Sequence, residues 1–403
     1  MGLCLVAVVC FGQKKNVADA LRLAKDAKPN FAEARTKIKA ALEHDETKDD
    51  AKTWFTAGQI ENLQFDKENT KQILGQQPNE KDMYDALSEI YPYFAKAYEL
   101  DRVPDAKGKV KPKYSKDMKA IMKANMPYYM NGGVYYWDHE NFQKAYEFFD
   151  QYVNISNSAL MKDGEPTNVT APVDSNYIYA VYYAAIATTA IQDRALIIKA
   201  MTRASKIDYK QNEVFQSLAQ AYQEDNDMVN FEKTLIDGLA LFPNEPYFIL
   251  NLVNIYLEAE KSDKAIEFTL RAIQNDPTNA QLHNVAGYIY DRNFKDFSKA
   301  EEHFLKSIEL NGEDAESQSN LGLLYFNQGV EQLNVANEIS DVRKYNEERE
   351  KAKVLFRKAL PYFEKSFKLN PDAMVNKQAL RSIYYNLDMG DKFEEMDKLV
   401  GDE

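Results

Sequence analysis

The stretch AGYIYDRNFKDFSKAEEHF, residues 286–304, decides how this chain is interpreted. It places an arginine, two aspartates, two glutamates and a histidine among aromatic residues. A charged active site and a packed helical hairpin can share such a composition. The two differ in periodicity, because a hairpin that belongs to a repeat array returns at a fixed interval along the chain.

The pattern around residues 286–304 recurs every 34 residues. A unit that begins at Ala280 is preceded by units that begin at Pro246, Asn212 and Ile178. Most units carry a small residue in each predicted helix and a tyrosine three residues after the first of these positions; Val253 is the exception in the first helices, and the small residue comes one position late, at Ser307, in the last second helix. These residues are Ala185, Ala219 and Gly287 in the first helices, Tyr222, Tyr256 and Tyr290 after them, and Ala204, Gly238 and Ala272 in the second helices. Two helices pack closely only where a side chain is small, so the pattern predicts antiparallel helical hairpins.

This spacing and these residues resemble the tetratricopeptide repeat family, whose unit is a helix-turn-helix of this length. The resemblance implies an all-α fold, a right-handed α-solenoid of antiparallel helix pairs. Weaker copies of the unit extend it to about nine hairpins. Arg22 and Arg381 occupy the small-residue position in the terminal units, which we interpret as caps whose outer faces meet water.

The period divides the chain into four parts. Residues 1–12 form an apolar leader, residues 13–177 hold irregular units with insertions, residues 178–314 are the regular block, and residues 315–403 hold the last units and a capping helix. Within the last part, residues 328–358 keep a helical pattern. We expect both helices of one unit to be longer there and to project as an antiparallel arm.

Two further interruptions lie in the N-terminal half. A long insertion separates Phe65 from Ile90, and residues 157–176 form a polar stretch that predicts a loop. Pro92 and Pro361 follow the first and last insertions, where each is expected to kink a second helix or to mark its beginning.

Net charge bears on the kind of partner, and the N-terminal residues bear on the location of the protein. The net charge is -13, and an acidic surface repels phosphate backbones, so we expect no nucleic-acid partner. Residues 1–12 resemble the core of a secretory signal without its basic start, which we interpret as a truncated leader; an apolar cap on the first helix is the alternative. Cys4 and Cys10 both lie in this leader, so a mature chain would have no thiol. The predicted location is periplasmic or secreted, with cytoplasmic as the alternative.

No stretch of the sequence predicts a catalytic, metal or cofactor site. The four histidines, His44, His139, His283 and His303, are scattered and form no zinc-binding pair on one helical face. His283 falls at a packing position of its unit. Glu301, Glu302 and His303 lie beside the packing face of a second helix and are expected to be solvated. We therefore expect no enzyme and no cofactor.

The family resemblance implies that first helices line a groove that holds an extended peptide or a partner helix. The residues predicted to line it are Tyr182, Gln216, Gln220, Tyr247, Leu250, Asn254, Asn284, Tyr288, Leu323 and Phe326. Arg292 is the one basic candidate in the regular units, so an acidic peptide tail is a poor fit. The linker at residues 102–117 is locally basic and is interpreted as a solvated loop, or as a contact for an acidic partner or a second copy.

These observations leave two functional hypotheses. The first is a non-enzymatic adaptor in the cell envelope that binds one or two partner proteins through the groove or the arm. The second is a chaperone-like holder of unfolded exported chains, which would bind many apolar peptides weakly. The number and kind of bound proteins would distinguish the two.

Overall fold

The structure is a computed structural model that describes residues 4–163 and 174–401, with side chains described from residue 13 onward. Within these residues all regular structure is helical, so the predicted all-α class is confirmed. The chain divides into two compact units, Met1–Ala221 and Tyr222–Glu403.

The first unit is built from helices that alternate in direction and pack as consecutive pairs. Its helices are α1 (Cys4–Lys25), α2 (Phe31–Glu43), α3 (Ala51–Ile73), α4 (Glu80–Asp101), α5 (Ser115–Asp138), α6 (Phe142–Asn157), the short α7 (Ala159–Lys162), α8 (Ser175–Ile191), α9 (Arg194–Ala204) and α10 (Gln211–Glu224).

The second unit continues the same scheme. Its helices are α11 (Met228–Leu241), α12 (Pro246–Glu258), α13 (Ser262–Asn275), α14 (Ala280–Ile289), α15 (Phe297–Leu310), α16 (Ala315–Asn337), α17 (Val342–Leu369), α18 (Met374–Asn386) and α19 (Gly390–Gly401). A π-helical turn, Tyr290–Phe294, extends α14 toward α15. The pairs α12/α13, α14/α15 and α16/α17 are the repeated hairpins predicted from the sequence.

Local sequence explains where these helices begin and turn. The side chains of Asp227, Asn279 and Asp314 each accept a backbone N–H of the first helical turn and so cap α11, α14 and α16. Inside the hairpins, Asn226 and Glu260 take the left-handed backbone conformation, with φ of 57° and 56°. One left-handed residue after a helix lets the chain reverse at once, so each hairpin closes with a short turn.

The small residues of the first helices are required by close contact with an aromatic ring. A Cβ on Gly287 would lie 2.6 Å from Cδ1 of Phe304, and a Cβ on Gly322 would lie 3.0 Å from Cδ2 of Phe363. Both rings are almost fully buried. In α14/α15 and α16/α17 the second helix therefore inserts a phenylalanine against the backbone of the first, which sets the distance between the two helices.

Two hairpins are longer than the others. Helices α16 and α17 have 23 and 28 residues, against 13 and 14 for α12 and α13. Helices α3 and α4 are extended in the same way. Both α4 and α17 run through their internal prolines, so the expectation that Pro92 or Pro361 marks a helix beginning is wrong. Phe94 and Phe363, two residues further on, are fully buried, and this packing offsets the backbone hydrogen bond that each proline removes.

Parts of two predicted segments lie outside the described residues. The predicted leader overlaps α1, which begins at Cys4, and residues 1–3 are not described. Of the predicted loop at 157–176, residues 164–173 are not described, and α7 occupies part of the rest. The leader and the division into four parts stay predictions.

Candidate partner-binding face

In the second unit, the first helices of successive hairpins are joined by polar contacts between side chains. The Asn320 Nδ2 donates to Asn284 Oδ1 at 3.0 Å, which links α16 to α14. The Ser319 hydroxyl donates to Asn376 Oδ1 at 2.8 Å, which links α16 to α18. Helices α14, α16 and α18 therefore lie beside one another within this unit.

We name one surface of this unit the first-helix face. It consists of the side chains that recur at helical spacing along α12, α14 and α16, where residues three and four apart share a side of the helix. Its members are Tyr247, Leu250, Asn254, Glu258, Gln281, Asn284, Tyr288, Glu316, Ser319, Leu323, Phe326, Asn327 and Glu331.

The predicted groove residues differ in how far they reach the surface of this face. Asn254 is exposed and Tyr288 exposes 45% of its surface. Tyr247 and Leu250 are half-buried, and the Tyr247 ring packs edge-on against Phe248 at 5.6 Å between ring centres. Tyr288 and Asn254 are thus the two that a partner could contact most fully.

Three predicted groove residues take part in the packing of the unit. Asn284 is buried and holds the contact with Asn320 described above. Leu323 and Phe326 pack against the apolar cluster formed by α15 to α19, and the Phe326 ring lies 5.7 Å from that of Phe356. These three residues pack beneath the exposed residues of the face, and their role in binding stays a prediction.

The remaining three predicted groove residues belong to the first unit. Gln220 is exposed, whereas Gln216 is half-buried and donates to Asn212 Oδ1 at 3.1 Å. Tyr182 is 9% exposed and donates its hydroxyl to Glu213 at 2.8 Å. Burial and the adjacent carboxylate raise the pKa of Tyr182 well above the ordinary range, so it stays a neutral hydrogen-bond donor.

An exposed aromatic group beside Tyr182 was missed by the sequence analysis. Tyr179 and Tyr183 expose 40% and 39% of their surface, and Tyr209 bridges Tyr179 and Tyr182 at 5.3 and 5.1 Å between ring centres. The four tyrosines of the stretch SNYIYAVYY were the available signal. Helical periodicity alone assigns only some of them to one side, and Tyr209 comes from a different segment.

Charge is divided between first and second helices. The first helices α8, α10, α12, α14 and α16 contain no lysine or arginine. The basic residues of the second helices are largely neutralised on their own helix, as in the pairs Lys233–Asp237, Arg271–Glu267 and Lys306–Glu309. Arg292, the predicted basic candidate, pairs with the buried Asp291 at 3.1 Å. The first-helix face therefore presents amides, aromatic rings and carboxylates without a free cation of its own.

A family model described as tetratricopeptide repeat matches residues 280–314, which are α14, the π-helical turn and α15. The matched segment is one hairpin of the series that the structure repeats in this unit. Residues 280–314 of this chain are thus similar to a tetratricopeptide repeat. No curated protein matches the sequence.

Solved structures of repeat proteins show limited similarity to this chain. MamA from Desulfovibrio magneticus is 14% identical, with a TM-score of 0.31 over 45% of this chain and 95% of that one. A TPR repeats protein from Bacteroides fragilis is 17% identical, with a TM-score of 0.32 over 64% and 98%. A tetratricopeptide repeat protein from Parabacteroides merdae is 11% identical, with a TM-score of 0.40 over 56% and 79%.

The opening stretch 286–304 forms a packed hairpin, but the expectation that all three of its polar residues at 301–303 are solvated is wrong. Glu302 is exposed, whereas Glu301 is half-buried and accepts a hydrogen bond from Tyr325. His303 is half-buried and stacks on Tyr290 at 5.6 Å between ring centres. The cause is the next repeat: its tyrosine reaches back to the preceding second helix.

Two of the histidines that seemed scattered in the sequence meet in this tetratricopeptide repeat hairpin. His283 Nδ1 and His303 Nδ1 lie 3.1 Å apart, so one ring donates to the other. His283 Nε2 lies 3.3 Å from the Pro277 carbonyl. Burial lowers the pKa of both rings, which favours the neutral pair. The two residues come from α14 and α15, and a search along single helices could not pair them.

Among the residues that the structure describes, no three or more His, Cys, Asp or Glu side chains form a cluster suited to a metal ion. None of the helices described combines the length and apolarity that crossing a membrane requires.

Proposed function

We propose that this tetratricopeptide repeat protein is a non-enzymatic interaction scaffold of the cell envelope that binds a peptide or partner protein on its first-helix face. Tetratricopeptide repeat folds are, in general, protein-interaction scaffolds, and the composition of this face supports that role here. Tyr288 offers a large exposed ring, while Asn254 and Gln281 expose amides that can both donate to and accept from a bound backbone. Rigid aromatic area with adaptable polar groups is what protein interfaces favour.

The envelope location is part of the proposal and is supported by the sequence of the leader. Residues 1–12 are apolar, contain both cysteines of the chain and resemble a secretory signal. Fractionation of cells that express the protein with a C-terminal tag tests this. Recovery in the envelope fraction with a shortened N-terminus is expected, and recovery of the full-length chain in the cytoplasm would contradict it.

The holder of unfolded chains is a second candidate, and the exposed tyrosines of α8 favour it. Tyr179 and Tyr183, together with Tyr209, form an aromatic surface that requires no particular partner sequence. A holder that uses this surface would bind many chains, and its binding would tolerate salt because apolar contacts are insensitive to screening.

Cross-linking of a tagged copy in its own cells distinguishes the two, provided that the linked residues are mapped by mass spectrometry. The scaffold predicts one or two dominant partners whose links fall on α12, α14 and α16 or on the α16/α17 hairpin. The holder predicts many unrelated chains with links near α8. Links that avoid all of these regions would contradict both candidates.

A single side chain gives a sharper test of the face. Tyr288→Ala removes the most exposed ring of the face and should weaken the dominant cross-linked partner by about tenfold or more, since truncation of an aromatic anchor commonly costs at least 1–2 kcal/mol. Leu305→Ala on α15 is the matched control, because Leu305 is similarly exposed at 42% but lies on a second helix. Equal yields from both variants would refute the assignment of the face.

A further inference from the structure

The basic linker between α4 and α5 is an ordered loop. The carboxylate of Asp101 accepts the backbone N–H groups of Lys113 at 2.9 Å and Tyr114 at 2.8 Å. The carboxylate of Asp105 accepts those of Lys107 and Lys109, both at 2.9 Å. The buried carboxylate of Asp101 thus fixes the loop at its base, and the exposed carboxylate of Asp105 orders residues 105–109.

The exposed side chains of this loop are lysines and two valines. The segment 102–117 holds six basic and two acidic residues, in a chain whose net charge is -13. Lys107, Lys109, Lys113 and Lys116 are exposed, and none of them forms an ion pair with a residue in the described ranges. Val103 and Val110 expose 64% and 45% of their surface.

The outermost part of the loop has a backbone that is open to a partner. Residues 109–112 lie in neither helix nor strand. Among the contacts of the described residues, the N–H groups of Val110 and Lys111 have no protein acceptor. A short exposed segment with lysines on both sides of Val110 and two open N–H groups is suited to a surface that offers carboxylates, amides and an aromatic ring.

The first-helix face of the second unit is such a surface. Glu258, Glu316 and Glu331 are exposed, and none of them pairs with a cation in the part of the chain that the structure describes. They lie at helical spacing from Asn254 and Leu323, so carboxylates, amide and apolar side chains share one side of their helices.

We propose that the loop of one copy, centred on residues 107–113, docks on the first-helix face of a second copy. This inference rests on the proposed function, because it names an occupant of the same face. A second copy is favoured over an unrelated partner because both complementary surfaces are present on one chain. Among the described residues, Lys107, Lys109 and Lys113 of the loop and Glu258, Glu316 and Glu331 of the face form no ion pair, whereas Lys111 pairs with Asp105 at 3.5 Å.

Sedimentation velocity on the purified full-length protein tests the proposal. The weight-average mass should rise with protein concentration at about 50 mM salt and fall toward the monomer at about 500 mM, because screening weakens contacts between exposed charges. Lys107→Glu/Lys109→Glu should raise the dissociation constant at least tenfold. Lys199→Glu/Lys206→Glu is the matched control, with the same change in net charge at two exposed lysines outside the loop, and it should leave association nearly unchanged.

A charge swap decides between specific docking and general electrostatics. The chain with Glu258→Lys/Glu316→Lys should also fail to associate with itself. Mixing it with the Lys107→Glu/Lys109→Glu chain at low salt should restore association, because the intact loop of the first chain meets the intact face of the second. No recovery in the mixture, or an equal loss in the Lys199/Lys206 control, would overturn the proposal.

The outcomes separate this inference from the proposed function. A wild type that stays monomeric at every concentration refutes self-docking, and the scaffold still stands if Tyr288→Ala lowers the cross-linked partner yield. A monomeric wild type that sediments with vesicles of anionic lipid, and loses this when Lys107 and Lys109 are reversed, would assign the loop to a lipid surface instead.

Discussion

The contact between Gly287 and Phe304 is predicted to hold the α14/α15 hairpin together. Phe304 is 1% exposed, and its ring lies against the α14 backbone at Gly287. Phe304→Ala removes this ring and leaves a cavity, which should lower the free energy of unfolding by about 3–5 kcal/mol. Phe297→Ala is the control in the same helix, because Phe297 is 37% exposed; it should cost less than about 1 kcal/mol.

The reverse change tests the same contact from the other side. A methyl group on Gly287 would lie 2.6 to 2.9 Å from three atoms of the Phe304 ring, so the ring must shift within a packed core. Overpacking costs about 1–3 kcal/mol, and alanine returns up to about 1 kcal/mol of helix propensity. Gly287→Ala should therefore destabilise the wild type by about 1 kcal/mol.

The sign of that second change should reverse once the ring is gone. In the Phe304→Ala background, Gly287→Ala meets no ring and should stabilise the protein by up to about 1 kcal/mol, a coupling of about 2 kcal/mol between the two sites. Urea unfolding followed by far-UV circular dichroism measures all four chains. A Phe304→Ala cost below about 1.5 kcal/mol, or a Gly287→Ala effect of the same sign in both backgrounds, would refute this account of the packing.

Three further changes test other parts of the structure. Between about pH 7 and 5.5 the free energy of unfolding should fall, because burial lowers the pKa of His283 and His303 and the unfolded chain takes up more protons. The variant His283→Asn should flatten this pH dependence, and an unchanged slope would contradict the paired geometry. Arg35→Leu should lower the free energy of unfolding by about 3 kcal/mol, because it leaves the Glu61 carboxylate, whose side chain is 4% exposed, without its ion-pair partner. A loss below about 1 kcal/mol in urea titrations would show that the pair is not buried. Asp101→Asn should speed limited trypsin cleavage within residues 102–117, because a neutral amide holds the loop N–H groups less strongly; an unchanged cleavage rate would show that this carboxylate does not order the loop.

Periodicity made the fold predictable because each repeat is constrained in the same way. The small residue at Gly287 and the tyrosine at Tyr290 mark helix packing wherever they recur, and the structure places them at such contacts. The prolines were harder to interpret. Local rules end a helix at Pro361, whereas the burial of Phe363 keeps α17 continuous, which is a tertiary effect.

The candidate site was less accessible to sequence reasoning because it depends on contacts between helices. Position in the repeat identified Tyr288 as a member of the face, and the structure exposes it. Position in the repeat could not show that Asn284 accepts a hydrogen bond from Asn320, or that the Tyr209 ring contacts the tyrosines of α8. Such pairings depend on the neighbouring repeat, and periodicity within one repeat does not contain them.

Site-specific photo-cross-linking in cells tests the central claim most directly. A photoreactive residue is placed at Tyr288 on the first-helix face and, in a second chain, at Leu305 on α15. The account predicts one dominant adduct at position 288 and little or none at 305. Adducts of equal yield at both positions, or none at 288, would contradict the claim that this face binds the partner.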